Sequence, residues 1–347
     1  MLALRKITPA AGIDLTDQPA PAMPQPGWIV VTVHAAGICG SDLHADAWDA
    51  SYNFMASSLP LTLGHEFAGI VDSVGADVTD LAPGDPVVCK PTITCGACPA
   101  CRADDPQGCT ARRIIGLHLD GGFAPLVAIP ADNARALPRD LPLDVAALAE
   151  PLAVSVTAVD VAVVQPGHRV AVLGPGPIGL GIALVAQARG AHVLLVGLND
   201  TLRLDRARAM GVDACADLRD SALPQAIARH LGAAPDIVIE ATGHPSSVIE
   251  ALQAVRSGGV VTVAGIHGAA LSLDLNLLVR GKKQLRGTHD STRQAFAEAI
   301  ARLAADPGRY AGMISHRLPL SQARQGFDLA RSRAAQKVML FPQETPE

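Results

Sequence analysis

Four cysteines crowd one short stretch, Cys95-Gly-Ala-Cys98-Pro-Ala-Cys101, with a loop that closes at Cys109. Thiolates at these spacings can wrap one tetrahedral Zn²⁺, each sulfur at about 2.3 Å, and Gly96 and Pro99 suit the tight turns this requires. Four protein ligands leave no open coordination position, so the expected role is structural. An iron–sulfur cluster can also use four cysteines, but no second cluster and no Cys-Pro terminus accompanies these. A zinc ribbon for nucleic acid would need a basic patch. The net charge is −5 with no Lys/Arg block, so neither nucleic acid nor an anionic membrane is an expected partner. Seven cysteines are an odd count. No secretory signal follows Met1, so metal binding in a cytoplasmic protein is expected rather than disulfides. Cys89 and Cys215 lie outside any motif and read as inert core thiols.

A second motif handles phosphate. Arg169-Val-Ala-Val-Leu173 runs into Gly174-Pro175-Gly176-Pro177-Ile178-Gly179, a G-x-G-x-x-G between a strand and a helix. The glycines allow a tight turn and close approach of a pyrophosphate. Pro177 fits the first helical turn, whose exposed N–H groups favour the anion. The acidic residue that usually holds the adenosine ribose about 20 positions on is missing. The next strand ends in Gly197-Leu198-Asn199-Asp200, with Arg203 following. That leaves room for a 2′-phosphate near Arg203, which favours NADP over NAD, although Asp200 could instead grip the hydroxyls or repel the phosphate.

These groups need two kinds of scaffold. The chain has 347 residues, 49% of them hydrophobic and 18% charged, which suits two packed domains and argues against disorder. The first 150 residues are rich in Gly, Pro and β-branched runs. Gly27–Val33 and Glu66–Val74 read as strands, and residues 83–85 and 120–122 as turns. From Val170 the texture alternates: strands at Val170–Leu173, His192–Val196, Ile237–Glu240 and Val260–Ala264, and helices at Ile178–Arg189, Arg203–Met210 and Ser246–Val255. This predicts a doubly wound parallel sheet. A further helix at Gln294–Ala304 leads into a less regular tail that returns to the first domain. Val170–Ala188 is uncharged and long enough to suggest a membrane span, but its Gly-Pro turns favour a buried strand, turn and helix.

Two further motifs, Gly37-Ile-Cys39-Gly-Ser41-Asp42-Leu-His44 and Gly64-His65-Glu66-Phe-Ala-Gly69-Ile-Val71, complete a pattern with Glu150-Pro-Leu-Ala153 and Glu240-Ala-Thr-Gly243. Together with the cysteine lobe and the glycine turn, and in the same order, they resemble the zinc-containing medium-chain dehydrogenases. The sorbitol, threonine and butanediol dehydrogenases are nearest in pattern. The resemblance runs nearly end to end. It implies a two-domain α/β fold: a GroES-like β-barrel catalytic domain over 1–151 and 291–347, carrying the zinc lobe at about 90–112, and a Rossmann domain over 152–290. It also implies Zn²⁺ at two sites per subunit, an NAD(P) cofactor, and a homo-oligomer, either dimer or tetramer.

By the same resemblance Cys39 and His65 are ligands of a catalytic zinc, with Glu66 or Glu150 completing the set. Asp42 orients His65 from behind. Ser41 accepts the hydroxyl proton and passes it, through the cofactor ribose, to His44 and solvent. Zinc stabilises the alkoxide, which drives hydride onto nicotinamide. Thr242, Gly265 and Ile266 are expected to line the cofactor beside the glycine turn. The substrate class is a small secondary alcohol or polyol. Trp48, Tyr52, Phe54 and Met55 are expected to shape its pocket, with His118 and His289 as further polar candidates. The competing readings are a zinc-free quinone reductase of the same superfamily and a cofactor-binding sensor or scaffold without catalysis. The cysteine lobe and the Cys39/His65 pair count against the first, and the intact relay against the second.

Overall fold

The computed structural model describes residues 1–103 and 105–343. It divides into two compact units, the first made of Met1–Glu150 with the chain from Ile300 onward, the second of Pro151–Ala299. The return to the first unit falls at Ile300, inside the helix Arg293–Ala305 and nine residues beyond the expected position 291.

The first unit is built on antiparallel sheet. Its longest strand, Trp28–Gly37, pairs with Glu66–Val74 on one side and with Val338–Phe341 and Leu126–Pro130 on the other. Alternating β-branched residues explain the burial, since Val31 and Val33 point into a core with Val71, Val87, Phe67, Ile129 and Leu340. The register matters for chemistry. Gly37 lies opposite Glu66, so the residues just past one strand end and just before the other, Cys39 and His65, are brought side by side.

The second unit carries six parallel strands. In space they run Ala214–Asp217, His192–Gly197, Arg169–Leu173, Ile237–Glu240, Val260–Val263 and Gln284–Gly287. In chain order this is 3-2-1-4-5-6, the doubly wound arrangement in which nucleotides bind where the strand order reverses. The reversal lies between Arg169–Leu173 and Ile237–Glu240, so the glycine turn after Leu173 and the Ala241–Gly243 turn stand next to each other. The uncharged run 170–188 resolves into strand Arg169–Leu173, the turn, and helix Pro177–Ala188. Among the described residues, the one helical segment long and apolar enough to cross a membrane is Leu143–Ala162, and 83% of its most apolar stretch is buried, as in a core helix.

Candidate active site

Cys39 is the N-cap of helix Gly40–Ala47, and its N–H donates to Asp42 Oδ2 at 2.9 Å. Asp42 is fully buried, and its other oxygen faces His65 Nδ1 at 3.7 Å, too far for a hydrogen bond but close for an ion pair. One carboxylate therefore holds the backbone of Cys39 and turns toward the ring of His65. The donor atoms of Cys39, His65 and Glu66 lie within 4.8 Å of one another.

This set fits a metal ion. Glu66 is fully buried, and its Oε1 has no hydrogen-bond partner, a costly state unless something else satisfies it. Burial alone would lower the pKa of His65, but Cys39, Asp42 and Glu150 outweigh it and push the ring well above its ordinary value. The same excess of negative charge attracts a cation, and sulfur, nitrogen and carboxylate oxygen are donors that Zn²⁺ takes. Glu66 Oε2 is paired with Lys337 Nζ, which also donates to Ile38 O at 2.9 Å. Lys337 is buried, and Glu66 and Cys39 hold its ammonium above its usual pKa against the effect of burial. Glu150 is 6% exposed, and its charge is felt by His65, Cys89 and Lys337. Among the described residues it is not part of the group within 4.8 Å.

Ser41 and His44 lie on the same short helix. Ser41 hydrogen-bonds Tyr52, and the hydroxyl of Tyr52, buried near Cys39 and Asp42, is pushed well above its usual pKa and stays protonated. His44 pairs through Nδ1 with Asp49 and stacks on Tyr52 at 5.5 Å and 9°. Tyr52 meets Phe54 at a tilt of 39°, and Phe54 in turn stacks on His118. The loop residues therefore divide. Tyr52 and Met55 are core residues, while Phe54 is 45% exposed. Trp48 packs against the core with Lys6 Nζ 5.1 Å from its ring centre. Its backbone is left-handed, with φ 55°, which costs a bulky residue about 1–2 kcal/mol and ends the helix. His118 accepts the N–H of Ile114 at 3.1 Å, and burial and Arg113 hold its pKa down, so it is neutral. His289 lies exposed in the second unit.

The cysteine lobe stands on a two-strand neck, Thr92–Ile93 against Arg113–Ile114. Cys95 Sγ lies 4.0 Å from Cys101 Sγ and 3.6 Å from Cys109 Sγ. Four sulfurs around one Zn²⁺ should stand about 3.8 Å apart, whereas a disulfide would need about 2 Å. Backbone N–H groups point at the sulfurs: Cys98 at Cys95, Cys101 at Cys98, and Cys95 at Cys109, at 3.4 to 3.5 Å. The N–H groups of Cys101 and Thr110 bring the Cys98 thiol down to about 6, which favours the thiolate a metal needs.

In the second unit, Gly174 adopts φ 105°, a conformation that suits glycine. A Cβ on Gly179 would sit 1.8 Å from Gly174 O, whereas one on Gly176 would meet nothing nearer than Arg203 Nη1 at 3.9 Å. The first and third glycines are thus fixed by packing, and the second leaves open space before the N-terminus of Pro177–Ala188, where Ile178 lies in the first turn. Gly197 is buried, with Pro175 and Leu204 each 3.1 Å from where its Cβ would be, so an acidic side chain there would have to displace them. Asp217, one strand over, accepts the N–H groups of Asn199 at 2.8 Å and Asp200 at 3.0 Å. Asp200 is buried and 3.5 Å from Arg203. Arg219 reaches Asn199 Oδ1 at 3.3 Å and Thr201 Oγ1 at 3.1 Å.

Thr242 is exposed and is tied to Glu240. Its N–H donates to Glu240 Oε1 at 2.6 Å and its hydroxyl is bonded to the same oxygen. Glu240, fully buried, also accepts from Gly243 at 3.0 Å and lies 3.2 Å from His267 Nε2. Gly265 allows its loop to approach Gly243, since a Cβ there would fall 2.2 Å from Gly243 N, and Ile266 beside it is 39% exposed. Sequence reasoning also passed over Lys337, Asp49 and Arg219. Asp49 follows His44 closely enough to have been weighed with it. Nothing local marks Lys337 or Arg219.

The family model for the alcohol dehydrogenase GroES-like domain matches residues 25–139, and that for the zinc-binding dehydrogenase matches 177–305. The chain is 33% identical to an L-threonine 3-dehydrogenase of Saccharopolyspora erythraea over 98% of both proteins. It is 32% identical to L-galactonate-5-dehydrogenase of Escherichia coli K12 over 86% of both. A solved zinc-binding dehydrogenase from Sinorhizobium meliloti 1021, bound to NADP, superposes with a TM-score of 0.89 at 31% identity, covering 98% of this chain and 99% of that one. With the GroES-like and Rossmann-type domains both present, the chain belongs to the zinc-containing medium-chain alcohol dehydrogenase family, oxidoreductases that act on CH–OH groups with NAD(P).

Proposed function

We propose that this chain oxidises a small secondary alcohol or polyol to the ketone, reversibly, with NADP favoured over NAD as the hydride acceptor. The observation that carries the reading is the convergence of Cys39, His65 and Glu66, with buried Asp42 behind them. Zinc at that position supplies Lewis acidity toward the alcohol oxygen, and a nicotinamide takes up the hydride. Cys39 and His65 hold the metal. Glu66 and Glu150 are the carboxylates from which the remaining ligand comes, with Glu66 favoured because it lies within the group. Asp42 keeps both ligands in register. Ser41 would accept the proton of the substrate hydroxyl, and His44 would carry it on to water. Cys95, Cys98, Cys101 and Cys109 hold a second, structural zinc.

The nucleotide preference rests on the pocket around Asn199. Gly197 offers no carboxylate to the ribose, the charge of Asp200 is offset by Arg203, and Arg219 reaches in from the neighbouring strand end. The NADP bound by the Sinorhizobium relative supports the same choice. Both named relatives oxidise a hydroxyl on an internal carbon, at position 3 of threonine and position 5 of galactonate, which supports a secondary alcohol. Assembly as a homodimer or homotetramer completes the proposal.

The test is zinc per chain on the purified protein, together with NAD⁺ and NADP⁺ reduction over a panel of secondary alcohols, polyols and hydroxy acids. About two zinc ions per chain and NADP⁺-linked turnover are expected. One zinc and no turnover would end the enzyme reading.

A further inference from the structure

The proton path needs His44 in one particular form, and the loop after helix Gly40–Ala47 is built to impose it. Trp48 ends the helix in the left-handed region and turns the chain back, so that Asp49 N donates to His44 O at 3.4 Å. The Asp49 carboxylate then lies beside the imidazole, and its two oxygens have separate work. Oδ1 caps the 3-10 helix Ala50–Ser58 by accepting the N–H of Ser51 at 3.0 Å and the Ser51 hydroxyl. Oδ2 pairs with His44 Nδ1. Tyr52, on that same short helix, stacks on the imidazole at 9° and hydrogen-bonds Ser41. Tyr52 sets the plane of the ring, and Asp49 engages its Nδ1.

An ionised carboxylate only accepts hydrogen bonds, so Nδ1 must carry the hydrogen and the neutral ring presents a bare Nε2. We propose that Asp49 is a positioning residue of the proton path, holding His44 in the Nδ1–H tautomer so that Nε2 is free to accept. Oxidation of a CH–OH group transfers one hydride to the nucleotide and releases one proton from the hydroxyl. That proton bonds to Nε2 and leaves to water, while the hydrogen on Nδ1 stays there, donated to the Asp49 carboxylate. The existence of the path rests on the proposed function. The hold on the ring rests on residues 41–52 alone.

The discriminating variant is Asp49→Asn. Asparagine caps helices as well as aspartate does, so its oxygen remains on Ser51 while its amide nitrogen faces His44. That nitrogen donates to Nδ1 and forces the hydrogen onto Nε2. With ¹⁵N-labelled histidine in the zinc-loaded protein, the ring nitrogen shifts report the tautomer without turnover, and His44→Gln identifies the signals. The expected result is Nδ1–H in the unmodified protein and Nε2–H in Asp49→Asn. In the variant kcat should fall roughly 10- to 100-fold with KM within about twofold, and Asp49→Glu should recover part of the loss. An Nε2–H tautomer in the unmodified protein overturns the proposal. So does an Asp49→Asn variant that keeps the Nδ1–H tautomer, whether or not kcat falls. The expected tautomers in a protein that oxidises no alcohol with either nucleotide would uphold the hold of Asp49 on His44 and count against the proposed function alone.

Discussion

Asp42, Glu66 and Lys337 show how single charges are kept in a buried site. Each would be expensive to desolvate alone, and each faces a partner: Asp42 the ring of His65, and Glu66 the ammonium of Lys337. Removing one member leaves the other unpaired. Lys337→Met should therefore cost about 3–5 kcal/mol, read as a lowered denaturant midpoint, and more than an exposed lysine such as Lys282, whose loss should cost within about 0.5 kcal/mol. Asp42→Asn keeps the shape but removes the charge behind His65. Zinc affinity at Cys39/His65 should fall about 10- to 100-fold, measured by competition with a chelator, while the cysteine lobe keeps its ion. At the nucleotide, Arg219→Ala removes a cation from the Asn199 pocket. The NADP/NAD ratio of kcat/KM should drop about tenfold, on the scale of one charge-assisted hydrogen bond, and an unchanged ratio would remove Arg219 from nucleotide selection.

At the scale of elements, two turns carry the function. In the glycine turn, a methyl on Gly179 meets Gly174 O at 1.8 Å, so the turn or the helix Pro177–Ala188 must shift. Gly179→Ala should weaken NADP binding at least tenfold by fluorescence titration and lower the melting temperature. A variant that binds normally would show that the turn is soft. The second turn hangs from Asp217, at the end of strand Ala214–Asp217. Burial pushes this carboxyl up, but the N–H groups of Arg219, Asn199 and Asp200 outweigh it and hold its pKa below the usual carboxylate range. A depressed carboxyl stabilises the fold above its unfolded pKa of about 3.9, and that contribution fades as pH falls through the lower folded value. Stability should therefore decline below about pH 4 less steeply in Asp217→Asn than in the unmodified protein, as measured by urea unfolding between pH 3 and 6.

At the scale of the whole chain, much was legible because it is local. The cysteine spacings specify a four-sulfur cage, since short spacers restrict where the thiolates can go, and the sulfurs stand 3.6 to 4.0 Å apart. The alternation of apolar strands and amphipathic helices marked the parallel sheet. Strand Ile237–Glu240 and helix Pro177–Ala188 lie where periodicity put them, within a residue. The helices Gly40–Ala47 and Ala149–Ala162 were not legible. The first hides inside a ligand motif with little apolar periodicity, and the second is apolar nearly all round. Composition and spacing by themselves marked the two-domain class, the four-cysteine lobe and the glycine turn, and the resemblance to a family pointed to the polar residues that could serve chemistry. Only the tertiary structure decided that the donor atoms of Cys39, His65 and Glu66 gather within 4.8 Å of one another, that Thr242 is bound to Glu240, and that Lys337 reaches a carbonyl 299 positions away. The reason is physical. Such partners are chosen by the pairing of strand Val338–Phe341 with Trp28–Gly37 and by which side chains the core leaves without water, and neither follows from any short window of sequence.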